Sequence, residues 1–228
     1  MTPHPLDNPV WASLTSRHAA MARRNGHAVR YPAEVAPFIA VDVPDSNAAA
    51  QAADFVEPDE LVCFVGLAPP LASGWKIEQS VPIAQMTCGS RLRVIDGPEI
   101  GELSGAHVAD MLALTALVYP HYFRPRTIEM GGYIGIHDGK VLAAMAGRRM
   151  HFGGHQEISA VCTHPDYVGR GYARRLIALL TNEILEAGEL PFLHFSHDNL
   201  RAKALYEQIG YSYRADVPLV VARRRPEY

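Results

Sequence analysis

Apolar residues recur along the chain with two periods, and the switches between them outline the elements. From residue 104 onward the pattern is sharp. "SGAHVADMLALTALV" (104–118) has the spacing of an amphipathic helix, with Ser104 as its candidate cap. "GGYIGIHDGKVLAAMAGRRMHF" reads as two strands joined at Asp138-Gly139, a hairpin signal. "HQEISAVCT" is a third strand, running into His164-Pro165. In "GYARRLIALLTNEILEA", Ala173, Leu176, Ile177, Leu180 and Ile184 keep helical spacing, and Gly188 closes the helix. "PFLHFS" is a short buried strand. "NLRAKALYEQIG" is a helix capped by Asp198 or Asn199 and closed by Gly210, and "YSYRADVPLVVARRR" supplies the last strands.

Upstream the pattern is more mixed. "NPVWASLTSRHAAMARR" looks helical, with Asn8 as cap and Pro9 just inside. "PFIAVDV" and "ELVCFVGL" look like strands around a helix in "DSNAAAQAADFV", and "GWKIEQSVPIAQMTC" reads as one or two strands. The turn-rich stretch 89–105 is the natural junction. The expected organisation is therefore an N-terminal α/β portion, residues 1–88, and a second domain, 89–228. The order helix–β–β–β–helix–β–helix–β predicts an α/β (α+β) fold, a central mixed sheet flanked by helices.

Composition narrows the function classes. With 48% apolar and 20% charged residues and a formal charge of −3, the chain reads as globular, with no basic field for nucleic acid. No apolar run reaches the ~18 residues of a membrane helix, and the N-terminus lacks a basic-then-apolar leader pattern. Cys63, Cys88 and Cys162 are odd in number and far apart, which suggests reduced thiols in a cytoplasmic protein. The N-terminal portion shows no phosphate loop, so no second nucleotide site is expected there.

The strongest chemical signal is "HPDYVGRGYARRL" (164–176), two glycines between a strand and a helix start. First-turn N–H groups of a helix lack internal partners and carry the positive end of its dipole. Gly169 and Gly171 let an anion approach this backbone, and Arg170, Arg174 and Arg175 add charge. A phosphate or pyrophosphate fits best. Tyr172-Ala173 is not a Walker loop, and Arg174 stands where a Rossmann fingerprint needs a small residue. A nucleotide-binding protein of another kind, or a plain helix start, is the alternative reading of the glycines alone.

The glycine turn together with "NLRAKALYEQIGY" resembles the acyl-CoA-binding core of the GNAT N-acetyltransferases, nearest their glycine-N-acyltransferase-like branch, over residues 99–215. The family loop reads Gln or Arg, two residues, Gly, one residue, Gly or Ala. Here Gly171 and Ala173 match, and Val168 departs at the first position. The resemblance implies acetyl-CoA as co-substrate, bound by the loop that Val168 opens, with its pyrophosphate on the amides of Gly169, Arg170, Gly171, Tyr172, Ala173 and Arg174. It implies that pantetheine pairs with the backbone of Val161, Cys162 and Thr163, which requires this strand to splay from "PFLHFS". Asn199 matches a helix-starting asparagine that contacts the cofactor in relatives, and it also suits an N-cap.

Amine acetylation needs a base for the ammonium and a donor for the leaving thiolate. On a regular strand, Ile158, Ala160 and Cys162 share the core face, and Glu157, Ser159, Val161 and Thr163 share the other. Glu157 would then face the cleft, at the position of the base in histone-type family members. Tyr206, in the matching Leu205-Tyr206-Glu207, is the candidate acid for the CoA sulfur. No metal is expected, because His151…His155, His194…His197 and Cys162-x-His164 lack a second cluster at ligand spacing. Arg124 and Arg126 could bind a substrate carboxylate or be plain surface residues. The expected protein is an N-acyltransferase acting on a small-molecule amine, with a homodimer left open; a non-catalytic acyl-CoA-binding module is the alternative.

Overall fold

A computed structural model of the chain describes residues 4–120 and 122–226. The elements, in chain order, are α1 (Pro9–Leu14), β1 (Arg23–Asn25), β2 (Ala28–Arg30), β3 (Ile39–Val41), α2 (Ser46–Ala53), β4 (Leu61–Val65), β5 (Trp75–Thr87), β6 (Gly101–Leu103), α3 (Val108–Val118), β7 (Tyr133–Asp138), β8 (Val141–Phe152), β9 (His155–Thr163), α4 (Tyr172–Glu186), β10 (Leu190–Ser196), α5 (Leu200–Ile209) and β11 (Ser212–Arg224). Strands β1-β2-β3 form a small sheet. The large sheet has the order β4-β11-β5-β10-β9-β8-β7-β6 and is mixed: β10 runs parallel to β9, while β11–β4, β6–β7 and β7–β8 are antiparallel.

Two compact units interleave along the chain. The first comprises the segment ending at Ala84, Met150–Gly153 and the segment from Ala215 on; the second comprises Gln85–Arg149 and Gly154–Arg214. In the first unit, Ile39, Val41, Ala48, Val62, Phe64, Trp75 and Ala222 pack into one core. In the second, Met111, Leu114, Tyr133, Met145 and Cys162 pack together, with Phe123, Ile128 and Ala160 at the margin.

The first helix is shorter than its sequence pattern predicts. Thr15 Oγ1 donates to Trp11 O (2.7 Å) and Ser16 Oγ to Ala12 O (2.5 Å), so hydroxyls compete with the helical ladder and the helix ends at Leu14. Beyond it lies an unexpected hairpin, β1–β2, turning at Gly26 with φ 53°. "GWKIEQSVPIAQMTC" and the C-terminal stretch each form one 13-residue strand. The junction contributes β6 to the sheet edge.

Helix α4 follows its pattern closely. Leu176, Ile177, Leu180 and Ile184 are fully buried. Asn182 clamps the 90s loop by accepting from Leu92 N (2.8 Å) and donating to Leu92 O (2.9 Å). Gly188 and Gly210 close α4 and α5 with φ of 76° and 113°.

Candidate active site

The glycine turn lies between β9 and α4. Pro165–Tyr167 form one 3-10 turn, after which Gly169 (φ 87°) and Gly171 (φ 77°) take left-handed conformations that side chains resist. Val168 N donates to Pro165 O, and the next backbone N–H to find a backbone carbonyl is Arg175, on Gly171 O at 3.1 Å. Between them, the N–H groups of residues 169–174 meet no acceptor among the described residues. Six consecutive donors at the N-terminus of a 15-residue helix make a diphosphate-sized anion site.

The surrounding side chains brace the turn. Tyr167 donates to Asp138 Oδ2 (3.0 Å), the Arg170 guanidinium lies 4.6 Å over the Tyr167 ring, and Tyr172 stacks on the same ring. Arg175 differs from expectation: its guanidinium donates to Ile95 O and Pro98 O, fastening the 90s loop rather than lining the turn.

Strands β9 and β10 pair over three residues only, from Leu190–His155 to Phe192–Glu157. Past this point β9 kinks at Ala160, whose φ of 50° is left-handed in a residue with a Cβ. The backbone of Val161, Cys162 and Thr163 lies beyond the kink, past the last residue of β9 that pairs with β10, while β8 borders the other edge of the strand. Cys162 is buried, and burial pushes its thiol up to about 12.

Glu157 does not face a cleft as a free carboxylate; this corrects the alternation argument. It is 0% exposed. Arg149 grips both its oxygens, Nε to Oε2 and Nη2 to Oε1, each at 2.7 Å, and His194 Nδ1 lies 2.8 Å from Oε1. Burial alone would raise its pKa, but the Arg149 charge and hydrogen bonds, with His194, outweigh it and hold the carboxyl at about 2.

These residues belong to a larger network that sequence reasoning missed. Arg214 donates to Gln85 Oε1 (2.8 Å), which leaves the Gln85 amide nitrogen to donate to His194 Nε2 (2.9 Å). His194 must then carry its proton on Nδ1, toward Glu157. Arg214, Gln85, His194, Glu157 and Arg149 stand on β11, β5, β10, β9 and β8, five successive strands of the sheet. The His194–Glu157 bond sits where β9 and β10 part. Only the strand order brings the five together, so no local signal could have found them.

Tyr206, on α5, is 7% exposed, and its ring lies 5.5 Å from Phe195 and 6.1 Å from Tyr211. Burial raises its pKa and the nearby Cys162 adds to the effect, so the hydroxyl stays protonated. Cys162, beyond the β9 kink, thus lies within electrostatic reach of the Tyr206 hydroxyl. Asn199 caps α5 by accepting from Ala202 N at 3.0 Å. Arg126 is paired with Glu129 through two bonds of 2.6 and 2.7 Å, whereas the Arg124 side chain has no partner among the described residues. No three His, Cys, Asp or Glu side chains among the described residues group to hold a metal.

Comparison with known proteins now decides the family. A family model of FR47-like proteins matches residues 133–218, which include β9, the glycine turn and α5. A structure of a GNAT-family acetyltransferase from Novosphingobium aromaticivorans DSM 12444 is similar across the chain: 31% identity, 98% of this chain and 100% of that one, TM-score 0.89. The chain belongs to the GNAT acetyltransferases. More distant GCN5-related N-acetyltransferases share the fold: one from Kribbella flavida at 17% identity, covering 97% and 96% of the two chains with TM-score 0.63, and an N-acetyltransferase-like protein from Streptococcus suis 89/1591 at 15%, covering 96% of each with TM-score 0.60. No curated protein matches the sequence. The protein is an acyl-CoA-dependent N-acetyltransferase, and its mixed sheet flanked by helices is the fold that its sequence pattern predicts. No helix among the described residues is long and apolar enough to cross a membrane.

Proposed function

We propose that the protein transfers the acetyl group of acetyl-CoA to the primary amine of a small molecule, an amino acid in the manner of the glycine-N-acyltransferase-like branch, by direct attack. One observation carries this reading: six unpartnered backbone N–H groups at the glycine turn, next to a strand whose pairing with β10 stops after Glu157. The donor set of Gly169, Arg170, Gly171, Tyr172, Ala173 and Arg174 suits the diphosphate of CoA. The β10-facing edge of Val161, Cys162 and Thr163, past the last β10 pair, suits the amides of a pantetheine arm, added like a further strand.

In the reaction the amine nitrogen attacks the thioester carbonyl, the C–N bond forms, and the C–S bond breaks with its electron pair passing to sulfur. Tyr206, protonated and within electrostatic reach of Cys162, supplies the hydrogen bond or proton that sulfur needs. Glu157 takes a different role from that of a base: at a pKa of about 2 it is too weak to deprotonate an ammonium at neutral pH. It fixes Arg149 and His194 at the fork of the sheet, and the amine loses its proton to water.

The test is release of CoA thiol from acetyl-CoA over a panel of free amino acids, amino-acid amides and alkyl amines. Faster release with one amine class, accompanied by the N-acetyl product, supports the reading. Binding of acetyl-CoA without transfer to any amine, or to water, overturns it in favour of a non-catalytic acyl-CoA-binding module.

A further inference from the structure

Tyr133 opens β7 and is 1% exposed, yet its hydroxyl has no hydrogen-bond partner among the described residues. A buried polar group left unpaired costs about 1–3 kcal/mol, so its position needs a reason. The ring is held deliberately. Tyr133 pairs with Gly147 of β8, and a Cβ at Gly147 would lie 2.2–2.5 Å from three atoms of the Tyr133 ring. Only glycine leaves room for this ring to cross the neighbouring strand. Phe123 packs edge-on against its other side at 5.5 Å.

The crossing sets the ring in one cluster with Cys162 and Ala160 of β9. Arg149 follows Gly147 by two residues and shares its face of β8. Arg149, Glu157 and Cys162 all lie within electrostatic reach of the hydroxyl, and Ala160 packs in the same cluster as Tyr133 and Cys162. Cys162 also lies within electrostatic reach of Tyr206. Two tyrosines, one on β7 packed in the cluster with Cys162 and one on α5 within its electrostatic reach, therefore flank the kinked part of β9. Their surroundings differ: the Arg149–Glu157 ion pair lies within electrostatic reach of Tyr133, whereas Tyr206 packs near the rings of Phe195 and Tyr211 and interacts with Cys162.

We propose that Tyr133 is a catalytic residue, its hydroxyl donating a hydrogen bond to the thioester carbonyl oxygen as that oxygen gains negative charge during amine attack. The proposal rests on placing the thioester at the β9 kink, as in the functional reading above. A preorganised donor near the fixed Arg149–Glu157 pair is suited to an oxyanion, which leaves the Tyr206 hydroxyl for the leaving sulfur. The proton stays on Tyr133 throughout; the bond strengthens as the C–N bond forms and relaxes when the C–S bond breaks. The donor without a partner in the resting protein thus finds one in the transition state, where binding raises turnover.

Tyr133→Phe separates this from a packing role, because it removes only the unpaired oxygen. The expected result is a melting temperature equal to or above that of the wild type, acetyl-CoA affinity within about threefold, and kcat lower by ~10²–10³-fold. The assay is CoA release with the best amine of the panel, or with water as acceptor where no amine accelerates it. Gly147→Ala keeps the hydroxyl but displaces the ring, and should also lower kcat. A Tyr133→Phe variant with kcat within about threefold of the wild type overturns the assignment. If the wild type itself releases no CoA, the functional reading falls and this proposal with it; loss confined to the variant upholds both.

Discussion

A carboxylate removed from water is costly unless its charge is met, and Glu157 is met on three sides by Arg149 and His194. Breaking such a buried pair from one side leaves the other charge stranded. We expect Glu157→Gln to lower unfolding free energy by about 3–5 kcal/mol, and a Glu157→Leu/Arg149→Met double variant to recover most of that loss in denaturant titrations. The pH dependence has a definite sign. The folded pKa of Glu157 lies below its free value, so its stabilisation is complete above pH 4.5 and is lost as the pH falls toward 2. The acid-unfolding curve of the double variant should therefore be flatter over that window. Turnover above pH 5 should instead follow the pKa of the acceptor amine, because Glu157 stays ionised throughout. Tyr206→Phe should reduce kcat by ~10²-fold or more with acetyl-CoA affinity nearly kept, and steady-state kinetics would show it. At this scale the sequence was readable for the placement of Tyr206, buried on α5 where its helical neighbours put it. It misled for Glu157, because alternation assumes an unbroken strand and nothing in an alanine announces the left-handed kink at residue 160.

The elements carrying the site were legible wherever periodicity and punctuation agreed. Strand β9 and helices α4 and α5 lie where apolar spacing and the flanking glycines put them. Three-residue strands such as β1 and β6 offer too few positions to show a period, and their pairing is set by turns and neighbours. One residue invites a direct test at the element scale. Asn199 caps α5, so Asn199→Ala should cost ~1 kcal/mol and Asn199→Ser should restore most of it in thermal melts. If acetyl-CoA affinity also falls in the serine variant, the asparagine contacts the co-substrate as well as capping; unchanged affinity assigns it to capping alone.

Across the whole molecule, the strand order was beyond sequence reasoning. The polar row from Arg214 to Arg149 draws on strands far apart in the chain, and the two units interleave through residues that no composition shift marks. The unit containing Gln85–Arg149 and Gly154–Arg214 holds the glycine turn, both candidate tyrosines and the polar row. We propose that all the chemistry resides there, and expect a stoichiometry of one acetyl-CoA per chain. The measurement that bears most directly on the functional reading is calorimetric titration of acetyl-CoA into the wild type, Gly169→Asn and Gly169→Asp. A Cβ at Gly169 meets no atom within 4 Å, and Asn and Asp are the side chains most tolerant of its φ of 87°. The two variants share a shape and differ in one negative charge. If the turn holds the diphosphate of CoA, the wild type binds one equivalent and Gly169→Asp loses ~10-fold or more in affinity relative to Gly169→Asn. Equal affinities in the two variants, with both folded, would contradict it.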